Sequence, residues 1–121
     1  MAIAKLDVVV LDCPDPAALA GFYAEVIGGK VVPAEEDWVN LELPGEGVKL
    51  AFQKAPGFVA PEWPSPKRSQ QFHLDLNVED MDAAEKQVLA LGATVLDAED
   101  RERGFRVYAD PAGHPFCLCA V

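Results

Sequence analysis

Asp15-Pro16-Ala17-Ala18 and Asp80-Met81-Asp82-Ala83 open the same element twice, and the reading of the fold turns on that pairing. With Asp15 placed on Asp80, Ile27-Gly28 falls on Leu91-Gly92 after a one-residue slip, so each stretch reads as a helix capped by Asp and followed by Gly. With Gly47 placed on Gly113, Leu43-Pro44-Gly45-Glu46-Gly47 matches Ala109-Asp110-Pro111-Ala112-Gly113, which closes both halves on a similar hairpin. From Val8 to Phe52, and again from His73 to Leu118, the chain runs strand, helix, Gly, then short strands. The expected class is therefore α+β: two βαβββ modules forming a curved mixed sheet around a cavity, with the helices on the outer face. Module one spans 5–54, a linker spans 55–70 and module two spans 71–121, all within one domain of 1–121.

At 121 residues and 50% hydrophobic content the chain can bury a sizeable core. Its 20 Asp and Glu against 10 Lys and Arg give a net charge of -10, which repels phosphate backbones and anionic lipid. Nucleic acid and membrane are accordingly poor partners, and a cationic ligand would be drawn in. The cysteines are Cys13, Cys117 and Cys119, an odd number, and no basic flank followed by an apolar segment opens the chain, so a reduced, cytoplasmic protein is expected. No apolar run approaches the roughly 20 residues of a membrane span. Cys117 and Cys119 share a strand face without the two-residue gap of a zinc knuckle, so they read as unactivated packing.

Strand alternation predicts which residues look away from the helices. In 72–78, Phe72, Leu74, Leu76 and Val78 form the apolar set, leaving His73, Asp75 and Asn77 on the other face. In 38–43 the aliphatic set is Val39, Leu41 and Leu43, leaving Trp38, Asn40 and Glu42. The same split sets Arg106 and Tyr108 against Phe105 and Val107. In the closing strands Leu50, Phe52, Phe116 and Leu118 belong under the helices, while Lys49, Ala51, Gln53, Cys117 and Cys119 look the other way. The first helix, about 16–27, carries the stripe Leu19, Phe22, Tyr23 and Val26; the second, about 81–91, carries Met81, Ala84, Val88 and Leu91. Between the modules, Pro61, Pro64 and Pro66 disfavour regular structure, and Trp63 reads either as pocket lining or as a residue tucked on the surface of a plain connector.

Gly21-Phe22-Tyr23 in the first helix, His73-Leu74-Asp75-Leu76-Asn77-Val78 in the middle and Asp110-Pro111-Ala112-Gly113-His114-Pro115-Phe116 near the end resemble the glyoxalase/bleomycin-resistance family, the vicinal oxygen chelates. The resemblance covers nearly the whole chain. It implies one metal ligand from the first strand and one from the closing strand of each half, positions that fall here on Val8, Ala51, His73 and Cys117. Only His73 is a usual ligand among them. No metal cofactor is therefore expected; if a divalent metal did bind, His73 would hold it, with Asp12, Asp75 or Glu42 reaching in from shifted positions. His73 could instead act as a general base beside Asp75, donate a hydrogen bond to a ligand, or stand as a polar wall residue. His114 reads as structural.

The resemblance then implies a metal-free protein that binds a small organic molecule and sequesters a drug or metabolite. The ligand-binding set is His73, Asp75, Trp38, Gln53, Arg106, Tyr108, Cys117 and Trp63, over a floor of Val8, Val10, Ala51 and Cys117. No residue is assigned to catalysis, so the reading leans away from an enzyme. The alternative is a lyase, isomerase or dioxygenase that uses a metal at His73. A homodimer is implied by the resemblance alone.

Overall fold

The structure, a computed structural model, describes residues 2–3, 5–45 and 49–121. Gly47, which anchored the first closing hairpin, lies outside the described residues. Two helices and eight strands follow one another as β1 (Val8–Cys13), α1 (Pro16–Ile27), β2 (Lys30–Glu35), β3 (Trp38–Glu42), β4 (Lys49–Lys54), β5 (Leu74–Val78), α2 (Met81–Ala90), β6 (Thr94–Asp97), β7 (Phe105–Ala109) and β8 (Pro115–Ala120). The fold is α+β and βαβββ is written twice. The strands sort into two four-stranded mixed sheets, one per module, of order β1-β4-β3-β2 and β5-β8-β7-β6. The chain divides into two compact units, Met1–Phe58 and Val59–Val121, so the connector is shared between them.

In the first unit, Asp15 stands extended at the helix entrance and its carboxylate accepts the Ala18 N–H at 3.2 Å, while Pro16 occupies the first turn, where its missing N–H costs nothing. Leu19, Phe22 and Tyr23 are buried along one stripe of α1. Tyr23 stacks on Phe52 of β4 at 5.7 Å between ring centroids, and Phe22 meets Tyr23 edge-on at 5.0 Å. β1 runs parallel to β4, and β3 pairs antiparallel with both β4 and β2. Val39 opposes Phe52 and Leu41 opposes Leu50, so these four buried side chains share the face that α1 covers. Gly29 is required where the chain leaves α1: its φ is +98°, and a Cβ there would sit 2.6 Å from the Glu42 carbonyl oxygen.

The second unit repeats the plan with a thinner helix. Asp80 caps α2 by accepting the Ala83 N–H at 3.0 Å. Of the predicted stripe only Val88 is fully buried, and Leu91, at the C-terminal cap, is 39% exposed. Phe116 and Leu118 of β8 are buried, and Phe116 stacks on Tyr108 at 5.7 Å. Phe72 departs from the sequence pattern. It precedes β5, follows Gln71 in a left-handed conformation (φ 63°) and is 82% exposed, so strand alternation does not reach it. The turn before β8 is built on buried Asp110, whose carboxylate accepts the Ala112 and His114 N–H groups at 2.9 and 3.0 Å. His114 thus serves the turn through its backbone.

Residues 55–73 hold no strand or helix, as the prolines require. Glu62 N–H donates to the Arg68 carbonyl at 2.8 Å and Ser65 N–H to the Glu62 carbonyl at 3.0 Å, which folds residues 62–68 into a local loop.

Phe52→Ala is expected to cost about 3–5 kcal/mol, because it removes a fully buried ring together with its stacking partner's contact. Phe72→Ala is expected to stay within about 0.5 kcal/mol of the parent. Urea denaturation of both variants checks the pair.

Candidate functional site

Each sheet has one face under its helix and one face turned away. In the first unit, β1 places Val8, Val10 and Asp12 on the face away from α1. β4 adds Lys49, Ala51 and Gln53, and β3 adds Trp38 and Asn40. Trp38 stands directly opposite Gln53, and Asn40 opposite Ala51, so the expected pair Trp38 and Gln53 does come together. The Trp38 indole donates to the Asn40 side-chain oxygen at 2.9 Å, which fixes the ring's edge and leaves the arrangement apolar in body and polar at its tip. Val10 is 37% exposed, whereas Ala51 is fully buried.

In the second unit the corresponding face gathers His73, Asp75 and Cys117. His73 Nε2 lies 3.2 Å from Asp75 Oδ1, and Asp75 pairs with Cys117 across the parallel β5–β8 ladder. One ligand atom from each of the three lies within 4.8 Å of the others. Burial pushes the Cys117 thiol up, the Asp75 charge and hydrogen bond push further, and it titrates at about 12. It is a neutral donor, neither a nucleophile nor a ready thiolate. Cys119 is also raised, by burial and then by Asp75.

This set of one nitrogen, one carboxylate and one sulfur fits zinc, which accepts three protein ligands of mixed type. It does not fit a hard octahedral cation, which needs several oxygens. Among the described residues neither Asp12 nor Glu42 belongs to a cluster of this kind.

Arg106 and Tyr108 are placed differently from the expectation. Arg106 opposes Leu118 and Tyr108 opposes Phe116, so both lie on the face that α2 covers. Arg106 is buried, with Nη2 3.0 Å from Asp82 Oδ1 and Nη1 3.4 Å from Glu85 Oε2, and the Tyr108 hydroxyl donates to Glu85 Oε1 at 2.9 Å. Arg101 adds a further contact to Glu85 Oε2 at 2.9 Å. Both residues tie α2 to its sheet. Val107 and Phe105 take their places on the other face, with Arg103 lying 4.0 Å over the Phe105 ring and 3.2 Å from Asp97.

The polar character of Arg106 and Tyr108 points to the wrong face, and the placed strands show why. The β3–β4 connection runs 43–48 and the β7–β8 connection 110–114, one residue shorter, and a one-residue difference turns every side chain over. Counting back from β8 makes Arg106 and Tyr108 the equivalents of Val39 and Leu41. Trp63 is half-buried in the connector, in the wall of a recess with Glu62 and Gln70.

The description of a glyoxalase-like domain matches residues 8–119. No curated protein matches the chain. Among solved structures, a glyoxalase/bleomycin resistance protein/dioxygenase family enzyme from Burkholderia phytofirmans PsJN is 18% identical, with a TM-score of 0.75 over 98% of this chain and 99% of that one. TnmS3, an antibiotic binding protein from Streptomyces sp. CB03234, is 20% identical, with a TM-score of 0.63 over 99% and 98% of the two chains. The fosfomycin resistance protein FosX from Mesorhizobium loti is 14% identical, with a TM-score of 0.69 over 100% and 94%. At these identities the likeness is one of fold.

Tyr108→Phe is expected to destabilise the protein by about 1.5–3 kcal/mol at neutral pH, the loss of a hydrogen bond to a charged group. Burial first, then the Glu85 hydrogen bond and charge, raise the Tyr108 phenol from 10.0 to about 12. Its contribution is therefore complete below pH 10 and lost as pH rises through 12. Glu85 has the opposite sign. Burial alone would raise its carboxyl, but the hydrogen bonds from Tyr108 and Arg101 and the charges of Arg101 and Arg106 hold it low, so its contribution disappears as pH falls below the ordinary carboxylate range. Denaturation midpoints across pH should fall at both ends in the parent, and the alkaline fall should shrink in Tyr108→Phe.

Proposed function

This chain belongs to the glyoxalase-like domain family, and we propose that it binds a small organic molecule without a metal, holding it by contact rather than transforming it. The observation that carries the reading is the composition of the first unit's helix-free face. Val8 and Ala51 stand there where the family resemblance would call for metal ligands, Val10 lies between them, and Trp38 stands beside them with Asn40 and Gln53 as polar neighbours. An aromatic face flanked by two amides suits a planar ligand with a few polar groups.

The second unit's face offers His73 and Asp75 as polar contacts and Cys117 as a neutral one. The family likeness to an antibiotic binding protein and to a fosfomycin resistance protein is compatible with sequestration, and the acidic balance of the chain favours cationic or polar aromatic ligands. The free cysteines Cys13, Cys117 and Cys119 suit a reducing cytoplasm, and a homodimer is the assembly the family resemblance suggests.

The His73, Asp75 and Cys117 cluster favours a second reading, a metal-dependent enzyme of the lyase, isomerase or dioxygenase kind; zinc, which has no redox chemistry, would suit a lyase or isomerase. Zinc held there would supply Lewis acidity toward a substrate oxygen. The chain's own part would be to position the three donors, and the raised thiol would have to give up its proton to bind. His73 and Asp75 are both substantially exposed, at 40% and 62% of their side chains, which leaves the cluster open to solvent.

Metal content of protein purified without chelator or tag metal, followed by zinc titration, separates the two readings. The expected result is substoichiometric metal and no tight site. Stoichiometric zinc lost in His73→Ala would replace the sequestration reading with the enzymatic one. In the metal-free case, aromatic ligands found by tryptophan fluorescence should bind about tenfold more weakly to Trp38→Ala, from the loss of ring stacking and its buried area.

A further inference from the structure

Trp38 and Asn40 stand two residues apart on β3, so both side chains project from the same face, the one turned away from α1. The indole N–H of Trp38 donates to Asn40 Oδ1 at 2.9 Å. An indole N–H donates and never accepts, so of the two ends of the Asn40 carboxamide only the oxygen can face it. The amide is thereby fixed in one sense, with its oxygen used and its NH2 turned outward. Among the described residues nothing accepts from that NH2, and it is not sealed inside the protein, since Trp38 and Asn40 are both only half-buried.

The other groups of this face do not make the same choice. The rung of the sheet on which Asn40 lies is otherwise apolar, with Val32 on β2, Ala51 on β4 and Val10 on β1. Gln53, directly opposite Trp38, is exposed and its amide makes no hydrogen bond among the described residues, so it can turn either its oxygen or its NH2 to a ligand. Lys49 is exposed and lies 3.8 Å from Asp7. Asp12 sits on β1, beyond β4 from Asn40 and about 10 Å away across two strand spacings. A compact ligand lying against the Trp38 ring therefore meets one polar group of fixed sense, and that group is a donor.

We propose that Asn40 sets the hydrogen-bonding sense of this site: its ligand is a planar aromatic molecule that presents an acceptor, such as a ring ketone, beside the Trp38 indole. The proposal rests on the sheet-face reading above and narrows it from aromatic ligands in general to acceptor-bearing ones. A carbonyl oxygen receives the Asn40 N–H while the ligand ring lies on the indole. A molecule that offers only an N–H donor at the same place sets donor against donor, and both groups lose their water without gaining a partner. Trp38 acts twice, its ring as the contact surface and its N–H as the catch that holds the amide. Asn40 is thus the specificity residue and Trp38 its positioning residue.

The test compares 1-indanone, a flat bicycle with a carbonyl acceptor and no donor, with indole, a bicycle of similar size with an N–H donor and no acceptor. Each is titrated into the full chain labelled with nitrogen-15 and followed by NMR at the Trp38 indole N–H and the Asn40 side-chain amide, the Trp38 signal being assigned with Trp63→Phe. The parent is expected to bind 1-indanone about fivefold more tightly than indole, the scale of one net hydrogen bond. Asn40→Asp keeps an oxygen for the Trp38 N–H and replaces the outward NH2 by an acceptor, so the preference should reverse while the Trp38 N–H resonance stays hydrogen-bonded. Trp38→Phe keeps a ring but removes the N–H that orients the amide, so the two compounds should bind within about twofold of each other. Shifts at Trp38 with equal affinities, tighter indole binding in the parent, or an unchanged preference in either variant would overturn the assignment to Asn40 and leave the sheet-face reading intact. No shift at Trp38 with either compound would overturn both.

Discussion

Each helix covers one face of one four-stranded sheet, and everything that could touch a ligand on the strands is decided by that covering. A strand has two faces and a fixed alternation, so once Leu50 and Phe52, or Phe116 and Leu118, are committed to the helix, their neighbours have no choice of direction. Ala51 and Gln53 in one unit, and Cys117 and Cys119 in the other, are presented on the opposite face because of what lies next to them in sequence. The closing strand is the central reference, since it pairs with the first strand on one side and with the third strand of its module on the other.

The two modules fill the space under the helix by different chemistry. α1 brings Leu19, Phe22 and Tyr23, and the interface is an aromatic and aliphatic core. α2 brings one buried valine and two carboxylates at i and i+3, Asp82 and Glu85, and its sheet answers with Arg106 and Tyr108. A buried guanidinium is tolerable because its charge is met by both carboxylates, although its Nε has no partner. Removing one member would leave another charge stranded in low dielectric, so the cluster acts as a unit. The second helix is docked by directional contacts where the first is docked by area.

Much of this architecture was legible in the residues. The Asp caps, the proline in the first turn and the glycines after each helix mark the elements, because each has a local physical cause. The closing-strand faces were legible too, since Leu, Phe and Ala or Cys alternate without ambiguity. The face of β7 was not, because Phe105-Arg106-Val107-Tyr108 alternates between two apolar and two amphipathic residues, and polarity by itself cannot distinguish a ligand group from a buried ion-pair partner. The register of β7 on β8 and the carboxylates on α2, distant in sequence, decide it. Phe72 shows a different limit, since alternation says nothing before a strand begins. The His73, Asp75 and Cys117 grouping was half visible, as period two joins His73 to Asp75, but the parallel register that adds Cys117 is a tertiary fact.

The proposed reading asks the helix-free faces to hold a molecule rather than change it. Holding requires complementary shape and a few satisfied polar contacts in the ground state, whereas catalysis requires groups whose interaction strengthens as charge develops. On the first unit's face an indole, two neutral amides and aliphatic side chains stand together, with Asp12 and Lys49 as the charged groups of the same face. On the second unit's face burial and Asp75 raise the Cys117 thiol, so the same carboxylate that approaches His73 works against thiolate formation beside it. A carboxylate that disarms the thiol would become an asset only if a cation arrived to bind all three donors and draw the proton off. The balance between a binding protein and an enzyme therefore comes down to whether zinc can outcompete a proton for Cys117 at an exposed three-donor cluster.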